Sequence, residues 1–247
     1  MVTKKRSKRL LLKSVILLLF FSIIGCIWYV NDYYHADADV LALVQQNNQT
    51  SVIIEQEEDM LFLAPTCAYD IGFIFYPGGK VDYLAYSPLL VQCAEKGIFC
   101  VIAKMPANLA VFDMNAAKNI TAQFPEITSW YIGGHSLGGA MASSHIAKYP
   151  NQYCGLVLLG AYPSDHLDGK NIPILSLYGS NDQVMNRENY TSQKHLLTDE
   201  FVIAGGNHAY FGCYGEQEGD GVATLTANEQ QSIAAQKIVD FIFSHSL

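Results

Sequence analysis

The stretch that decides the fold is Tyr-Ile-Gly-Gly-His-Ser-Leu-Gly-Gly-Ala, residues 131–140. The aromatic and β-branched residues at 130–132 predict a buried strand, and residues 140–148 have a helical pattern. A strand that turns directly into a helix holds its turn residue in a strained conformation and exposes that side chain at the sheet edge. Gly134 and Gly138 flank the turn, where side chains would collide with neighbouring backbone. We therefore predict that Ser136 is a nucleophile at a sharp strand-to-helix turn.

A serine hydroxyl attacks a carbonyl efficiently only when a base removes its proton and a third group orients that base. The predicted strand 173–179 runs into a carboxylate, Asp182, and the predicted strand 200–204 leads into an imidazole, His208. The carboxyl ends of parallel strands meet at one edge of a sheet, so these residues can converge there. We predict that Ser136 is the nucleophile, His208 the general base and then acid, and Asp182 the group that orients His208.

Two neighbouring residues have alternative interpretations. Asp165 follows the predicted strand 156–159 and is a rival for the role of the acid. His135 lies inside the turn, but we expect its side chain to point away from the Ser136 hydroxyl and to be structural.

Acyl transfer also requires two N–H donors for the oxyanion that develops on the attacked carbonyl. The first donor should be Leu137, the residue that follows the nucleophile. The second should come from the glycine-rich loop after the predicted strand 71–76, where Gly79 and Lys80 are both candidates.

The remaining pattern alternates strands with helices. The predicted strands 52–54 and 60–63 form an antiparallel pair at the sheet edge. This alternation predicts an α/β fold with a mostly parallel sheet and helices on both faces. The further predicted strands are 71–76, 98–103, 129–134, 155–160, 173–178 and 200–204, and the predicted helices are 83–96, 114–123, 137–148, 186–197 and 228–244. We expect three regions: a basic tail and anchor (1–35), a connecting segment with a polar linker at 47–51 (36–50), and a catalytic domain (51–247).

The N-terminus predicts one transmembrane helix. Residues 15–30 are uncharged and almost wholly apolar, and the six basic residues in 1–13 favour a cytoplasmic N-terminus. The expected localisation is therefore the cell membrane, with a single span and the catalytic domain outside the cytoplasm. Two alternatives remain open: lipidation at Cys26, which follows small and aliphatic residues, and cleavage of a signal peptide.

Charge and cysteine content restrict the partners. Residues 14–247 contain nine basic and 23 acidic side chains, a composition that disfavours nucleic acid as a partner. Cysteine and histidine spacings do not indicate a zinc site, and we expect neither a metal nor an organic cofactor. Cys93 and Cys100 could form a disulfide, but nothing in the sequence requires it.

Three segments carry a family resemblance: Tyr-Pro-Gly-Gly at 76–79, Gly-Gly-His-Ser-Leu-Gly-Gly-Ala-Met-Ala at 133–142, and Gly-Asn-His-Ala-Tyr-Phe-Gly-Cys-Tyr-Gly at 206–215. With them, residues 50–247 resemble the α/β-hydrolase superfamily, and most of all a small bacterial subgroup of membrane-anchored, esterase-like hydrolases. Many superfamily members begin the oxyanion loop with His-Gly, whereas this chain has Pro77-Gly78, so the second donor stays open between Gly79 and Lys80. The short connection between 160 and 173 predicts that the usual helical lid is absent.

The resemblance and the triad together predict a serine hydrolase of carboxylesterase type, which cleaves a small-molecule ester or related acyl bond through an acyl-enzyme. The same triad would serve an acyltransferase. A non-catalytic membrane-bound binding protein is a further alternative, but such proteins usually lose the serine, the acid or the histidine, and this chain has all three. The natural substrate and the oligomeric state do not follow from the sequence.

Overall fold

The computed structural model describes residues 2–46 and 51–246, with side chains from residue 13 onward except that of Asp165. Most of the predicted polar linker, residues 47–50, lies outside the described residues. Helix α1 (Val2–Asn31) belongs to one compact unit, Met1–Tyr33, and the rest of the chain forms a second unit, Tyr34–Leu247. Within α1, Lys13–Asn31 has the length and apolar composition of a membrane span, criteria that an N-terminal signal sequence also meets.

The second unit is built on one eight-stranded sheet with the strand order β1-β2-β4-β3-β5-β6-β7-β8. The first two strands are antiparallel at one edge, as predicted, and strands β3 to β8 are parallel to one another. The sequence therefore predicts the fold class correctly. The strands are β1 (Val52–Gln56), β2 (Met60–Pro65), β3 (Ile71–Tyr76), β4 (Phe99–Ala103), β5 (Ser129–His135), β6 (Gly155–Leu159), β7 (Ile174–Gly179) and β8 (Asp199–Ile203).

Successive side chains of a strand point to opposite faces of the sheet, and here both sets are apolar. Helices therefore cover both faces. Phe73 and Phe75 of β3 belong to the core on one face, together with residues of α2, α3 and α7. Ile74 and Tyr76 belong to the core on the other face, together with residues of α4 and α5. The helices of the second unit are α2 (Ala38–Gln46), α3 (Ser87–Ala94), α4 (Ala116–Gln123), α5 (Leu137–Lys148), α6 (Arg187–Gln193) and α7 (Ala227–Ser244).

Two predicted helices are shorter than the sequence pattern suggested. The predicted helix 83–96 consists of a 3₁₀ turn, Tyr83–Tyr86, followed by α3, and a proline near the start of α3 has no N–H to continue the preceding turn. The predicted helix 186–197 ends at Gln193 and continues as the 3₁₀ turn Lys194–Leu196. The connection from β6 to β7 contains only the 3₁₀ turn Asp165–Leu167, so no helical lid is inserted there.

The second unit begins earlier than the predicted domain boundary at residue 51. Tyr34 donates its N–H to the Lys80 carbonyl at 2.8 Å, and its own carbonyl accepts the Asp82 N–H at 2.8 Å. Farther along, Val40 and Val44 of α2 are buried in the core. The described part of the predicted connecting segment, residues 36–46, therefore packs as part of the second unit, and Tyr34 pairs with the chain just after β3.

Candidate active site

Ser136 lies alone between β5 and α5, at the turn that the sequence predicted. Its backbone has φ 51° and ψ −121°, a conformation that costs a non-glycine residue about 1–3 kcal/mol. The Ser136 N–H donates to the Leu159 carbonyl at 2.9 Å, which ties the turn to the neighbouring strand. A Cβ at Gly138 would lie 2.1 Å from the Tyr76 carbonyl oxygen, so only glycine fits there. The turn thus fixes Ser136 at the carboxyl edge of the sheet with a partly exposed side chain.

The imidazole of His208 pairs with the carboxylate of Asp182. His208 Nδ1 lies 2.9 Å from Asp182 Oδ2, and both side chains are buried. The other carboxylate oxygen, Oδ1, accepts the N–H groups of Val184 at 2.9 Å and Met185 at 2.8 Å. Asp165, the rival acid, begins the short turn after β6, and the partner of His208 Nδ1 is Asp182.

Opposing effects act on the ionisation of Asp182. Burial raises the pKa of the carboxyl, but the hydrogen bond and charge of His208 and the two backbone N–H donors outweigh burial. The net effect is a pKa below the ordinary value, so the group is an anion at neutral pH. An anion beside Nδ1 favours the tautomer with its proton on Nδ1, which leaves Nε2 free to accept a proton.

The nitrogen that would act as base has no partner among the described residues. His208 Nε2 is buried and accepts no hydrogen bond, and no hydrogen bond joins it to the Ser136 hydroxyl. Gly160, at the end of β6, lines the same recess as Ser136, and a Cβ built on it would lie 2.8 Å from His208 Nδ1. Ser136 and the His208 imidazole therefore both lie near Gly160. In many enzymes the hydrogen bonds between catalytic groups are long without substrate and shorten only when substrate binds.

The geometry separates the two candidates for the second oxyanion donor. The Lys80 N–H already donates to the Asn108 carbonyl at 2.8 Å, so the prediction that admitted Lys80 is corrected. No described residue accepts a hydrogen bond from the N–H of Gly79 or of Leu137. A Cβ on Gly79 would lie 2.9 Å from Leu137 Cδ2, so these two residues are neighbours. Gly79 and Leu137 are thus neighbours, and the N–H group of each has no acceptor among the described residues.

A shallow recess of about 280 Å³ opens beside Ser136. It lies between the first turn of α5 and the loops after β6 and β7, and its lining contains no Asp, Glu, Lys, Arg or His. Its volume is just below the range of drug-sized ligand pockets. Its lining is mainly apolar and includes Ala140, Ala161, Tyr162, Val184 and Met185.

Sequence reasoning missed one acidic residue that supports this site. Asp220 Oδ2 accepts the N–H groups of His208 at 2.8 Å and Ala209 at 2.9 Å, and its Oδ1 accepts the Gln183 N–H at 3.2 Å. One carboxylate thereby links the loop of His208 to the loop of Asp182. The only signal for this role is an acidic residue a dozen positions after the histidine, which is too common to have been singled out.

His135, which we expected to be structural, is buried among other side chains of the site. Its ring lies 4.4 Å from the His208 ring, centroid to centroid, and its Nδ1 is 2.9 Å from the Tyr86 hydroxyl. It is thus packed inside the site, and among the described residues no hydrogen bond joins it to the Ser136 hydroxyl. The described residues include no cluster of three or more histidine, cysteine or acidic residues that could hold a metal ion.

Comparison with known proteins places this architecture in a family. The model of the alpha/beta hydrolase family matches residues 72–232, and the chain belongs to that family. No match was found among curated proteins.

Solved structures show the same fold at low sequence identity. Est1E from Butyrivibrio proteoclasticus is 12% identical, with a TM-score of 0.55 over 79% of this chain and 99% of that one. The esterase domain of a Rhodothermus marinus protein is 11% identical, with a TM-score of 0.57 over 78% and 98%. A predicted CIB-like hydrolase from Thermoplasma acidophilum is 12% identical, with a TM-score of 0.57 over 76% and 99%.

Proposed function

We propose that this protein is a serine hydrolase that cleaves a carboxylic ester with a short, uncharged acyl group. The observation that carries the proposal is the strained Ser136 turn beside the buried His208–Asp182 pair. The unoccupied N–H groups of Leu137 and Gly79 add the donors that a tetrahedral oxyanion needs. The Rhodothermus marinus match, named as an esterase domain, is consistent with this chemistry.

The proposed reaction has two halves. Ser136 Oγ attacks the ester carbonyl while His208 Nε2 takes the hydroxyl proton, and the oxyanion accepts hydrogen bonds from Leu137 and Gly79. His208 then gives that proton to the departing alcohol, which leaves an acyl group on Ser136. Water attacks this acyl-enzyme while His208 takes a proton from the water, and His208 then returns that proton to Ser136 Oγ as the carboxylic acid is released. Asp182 stays ionised and stabilises the imidazolium that forms in each half.

We also propose that the enzyme works outside the cytoplasm, held to the membrane by its N-terminal helix. The apolar side chains of Lys13–Asn31 are exposed in the structure, as a lipid-facing helix requires, and the basic residues of the tail favour a cytoplasmic N-terminus. The proposed organisation is an anchor ending near residue 33, followed by the catalytic unit from Tyr34.

The test uses the full-length chain in detergent and 4-nitrophenyl esters of acetate, butyrate and dodecanoate. The recess is small, so we expect kcat/KM to be at least about tenfold higher for the two short esters than for dodecanoate. A fluorophosphonate probe should label Ser136, as mapped by peptide mass spectrometry, and heat-denatured protein is the control. Absence of turnover, or a label on another serine, would contradict the proposal.

Replacing Asp220 with alanine should weaken the site without touching the reacting atoms. Four backbone N–H groups, those of Gln183, His208, Ala209 and Gly221, would lose their acceptor, and hydrogen bonds to charged groups contribute about 1.5–3 kcal/mol each. We expect kcat to fall by about tenfold, and the free energy of unfolding, measured in urea, to fall by about 2 kcal/mol or more. Asp168→Ala, in the exposed connection between β6 and β7, is the control. Equal losses in both variants would show that Asp220 has no special role.

A further inference from the structure

The hydroxyl of Tyr86 connects two parts of the site that are far apart in sequence. Tyr86 ends the 3₁₀ turn Tyr83–Tyr86, and its side chain is fully buried. Its oxygen accepts the N–H of Gly78 at 3.0 Å and lies 2.9 Å from Nδ1 of His135. The Tyr86 hydroxyl therefore forms hydrogen bonds with two segments: the loop that contains Gly79 and the residue that precedes Ser136.

The direction of each hydrogen bond follows from the number of protons available. The Gly78 amide can only donate, and His135 Nδ1 is the one other hydrogen-bond partner of the Tyr86 hydroxyl among the described residues, so we assign the hydroxyl proton to the bond with His135 Nδ1. Burial raises the pKa of Tyr86, which keeps this proton. Burial and the neighbouring His208 imidazole hold the pKa of His135 well below its ordinary value, so that ring is neutral. The single ring proton of His135 is then on Nε2.

His135 in turn forms part of the packing around the catalytic imidazole. The two rings are 4.4 Å apart between centroids, and Phe211 lies 5.7 Å from His135. His135 is 1% exposed, so neighbouring side chains enclose its ring and solvent does not reach it. Any rotation of His135 is therefore transmitted to the space that His208 occupies.

The oxyanion loop is fixed on both sides of its donor. The N–H of Gly78 is bound by Tyr86, and the N–H of Lys80 is bound by the Asn108 carbonyl. Of these three consecutive amides, only that of Gly79 has no acceptor among the described residues. These bonds hold the intervening peptide so that the Gly79 N–H stays beside Leu137.

We propose that Tyr86 and His135 are positioning residues that couple the oxyanion loop to the catalytic histidine. The proposal rests on the proposed function and adds to it. Neither residue touches substrate: Tyr86 acts through Gly78 on the Gly79 donor, and His135 acts through its packing on His208. Removal of the Tyr86 hydroxyl leaves a buried Gly78 N–H without an acceptor and His135 Nδ1 without a donor. The loop and the ring then relax together, and misplacement by about 1 Å can cost as much as 100-fold in rate.

The test compares full-length Tyr86→Phe with wild type, Ser136→Ala and Tyr131→Phe. Tyr131 is the matched control, because it is equally buried and its hydroxyl donates to the Ile242 carbonyl at 3.1 Å, away from the site. We expect Tyr86→Phe to lower kcat by about 10- to 100-fold with KM changed less than about twofold. Tyr131→Phe should keep kcat within about twofold of wild type, because its hydroxyl contacts neither the oxyanion loop nor His208.

A second measurement does not depend on how Tyr86→Phe folds. Nitrogen-15 NMR of histidine-labelled wild type should show His135, assigned by its loss in His135→Gln, as a neutral ring protonated at Nε2 from pH 5 to 8. A wild-type His135 protonated at Nδ1 would overturn the proposal, as would equal kcat losses in the two tyrosine variants or an unchanged kcat in Tyr86→Phe. If wild type itself has no more esterase activity than Ser136→Ala, the proposed function fails instead, and the two failures are distinct.

Discussion

Ser136→Ala is expected to reduce kcat for a short-chain ester by about a millionfold. Loss of the nucleophilic serine in a Ser-His-Asp enzyme has a cost of this size, because the three residues act as a unit. In this chain Ser136 occupies the single turn position between β5 and α5, and the positive φ angle there aims its side chain toward the recess. The alanine variant keeps the turn and loses only the hydroxyl.

The control for this experiment is Ser144→Ala on the same helix. Ser144 lies two turns farther along α5, where its hydroxyl donates to the Ala140 carbonyl at 3.0 Å. We expect that variant to retain wild-type kcat and wild-type fluorophosphonate labelling. An active Ser136→Ala enzyme would mean that another residue carries the acyl group, and the mechanism would have to be abandoned.

Asp182→Asn should cause the second largest loss, about 10⁴-fold in kcat. The reason lies in the hydrogen bonds of the carboxylate. Its Oδ1 accepts two backbone N–H groups, so the carbonyl oxygen of an asparagine would stay on that side and its amide group would face His208 Nδ1. Nδ1 would then have to accept, the ring proton would move to Nε2, and His208 could no longer take the proton of Ser136.

Asp165→Asn is the comparison for this variant, because Asp165 was the rival acid in the sequence. We expect it to retain wild-type kcat. A loss in Asp165→Asn together with full activity in Asp182→Asn would reverse the assignment.

The stability of the Asp182 variant should also respond differently to acid. The pKa of Asp182 is lowered on folding from an ordinary value of 3.8, so its contribution to stability is present above about pH 4 and is lost as pH falls through the folded-state pKa. Asparagine cannot titrate. The unfolding free energy of Asp182→Asn should therefore decline less than that of wild type between pH 5 and 3.

The strands, the turn and the chain order of Ser136, Asp182 and His208 could be predicted because each depends on local sequence pattern. Hydrophobic runs of five or six residues identify the parallel strands, and the carboxyl ends of those strands share one edge. The choice between Gly79 and Lys80 could not be made in this way. It depends on Asn108, whose carbonyl reaches Lys80 only after the chain has folded.

The supporting roles of Tyr86 and His135 could not be predicted either, because they depend on contacts that form only in the folded chain. In the sequence, Tyr86 is one of several aromatic residues in a predicted apolar helix. Its role depends on contacts with Gly78 and His135, which come from other parts of the fold. The contact between His135 and His208 could not be predicted either, because the loop that brings in His208 is set by tertiary packing. Hydrogen bonds between distant segments leave no periodic signal in a sequence.

The pairing of Tyr34 limits where this protein can be shortened. Its main chain forms two hydrogen bonds with the residues that directly follow the oxyanion loop, and its hydroxyl accepts the Glu218 N–H at 3.2 Å. A peptidase that cut downstream of this tyrosine would release a domain without the two hydrogen bonds that Tyr34 forms with Lys80 and Asp82. Any secreted or recombinant form that retains full turnover should therefore start upstream of Tyr34, as a lipoprotein matured at Cys26 would.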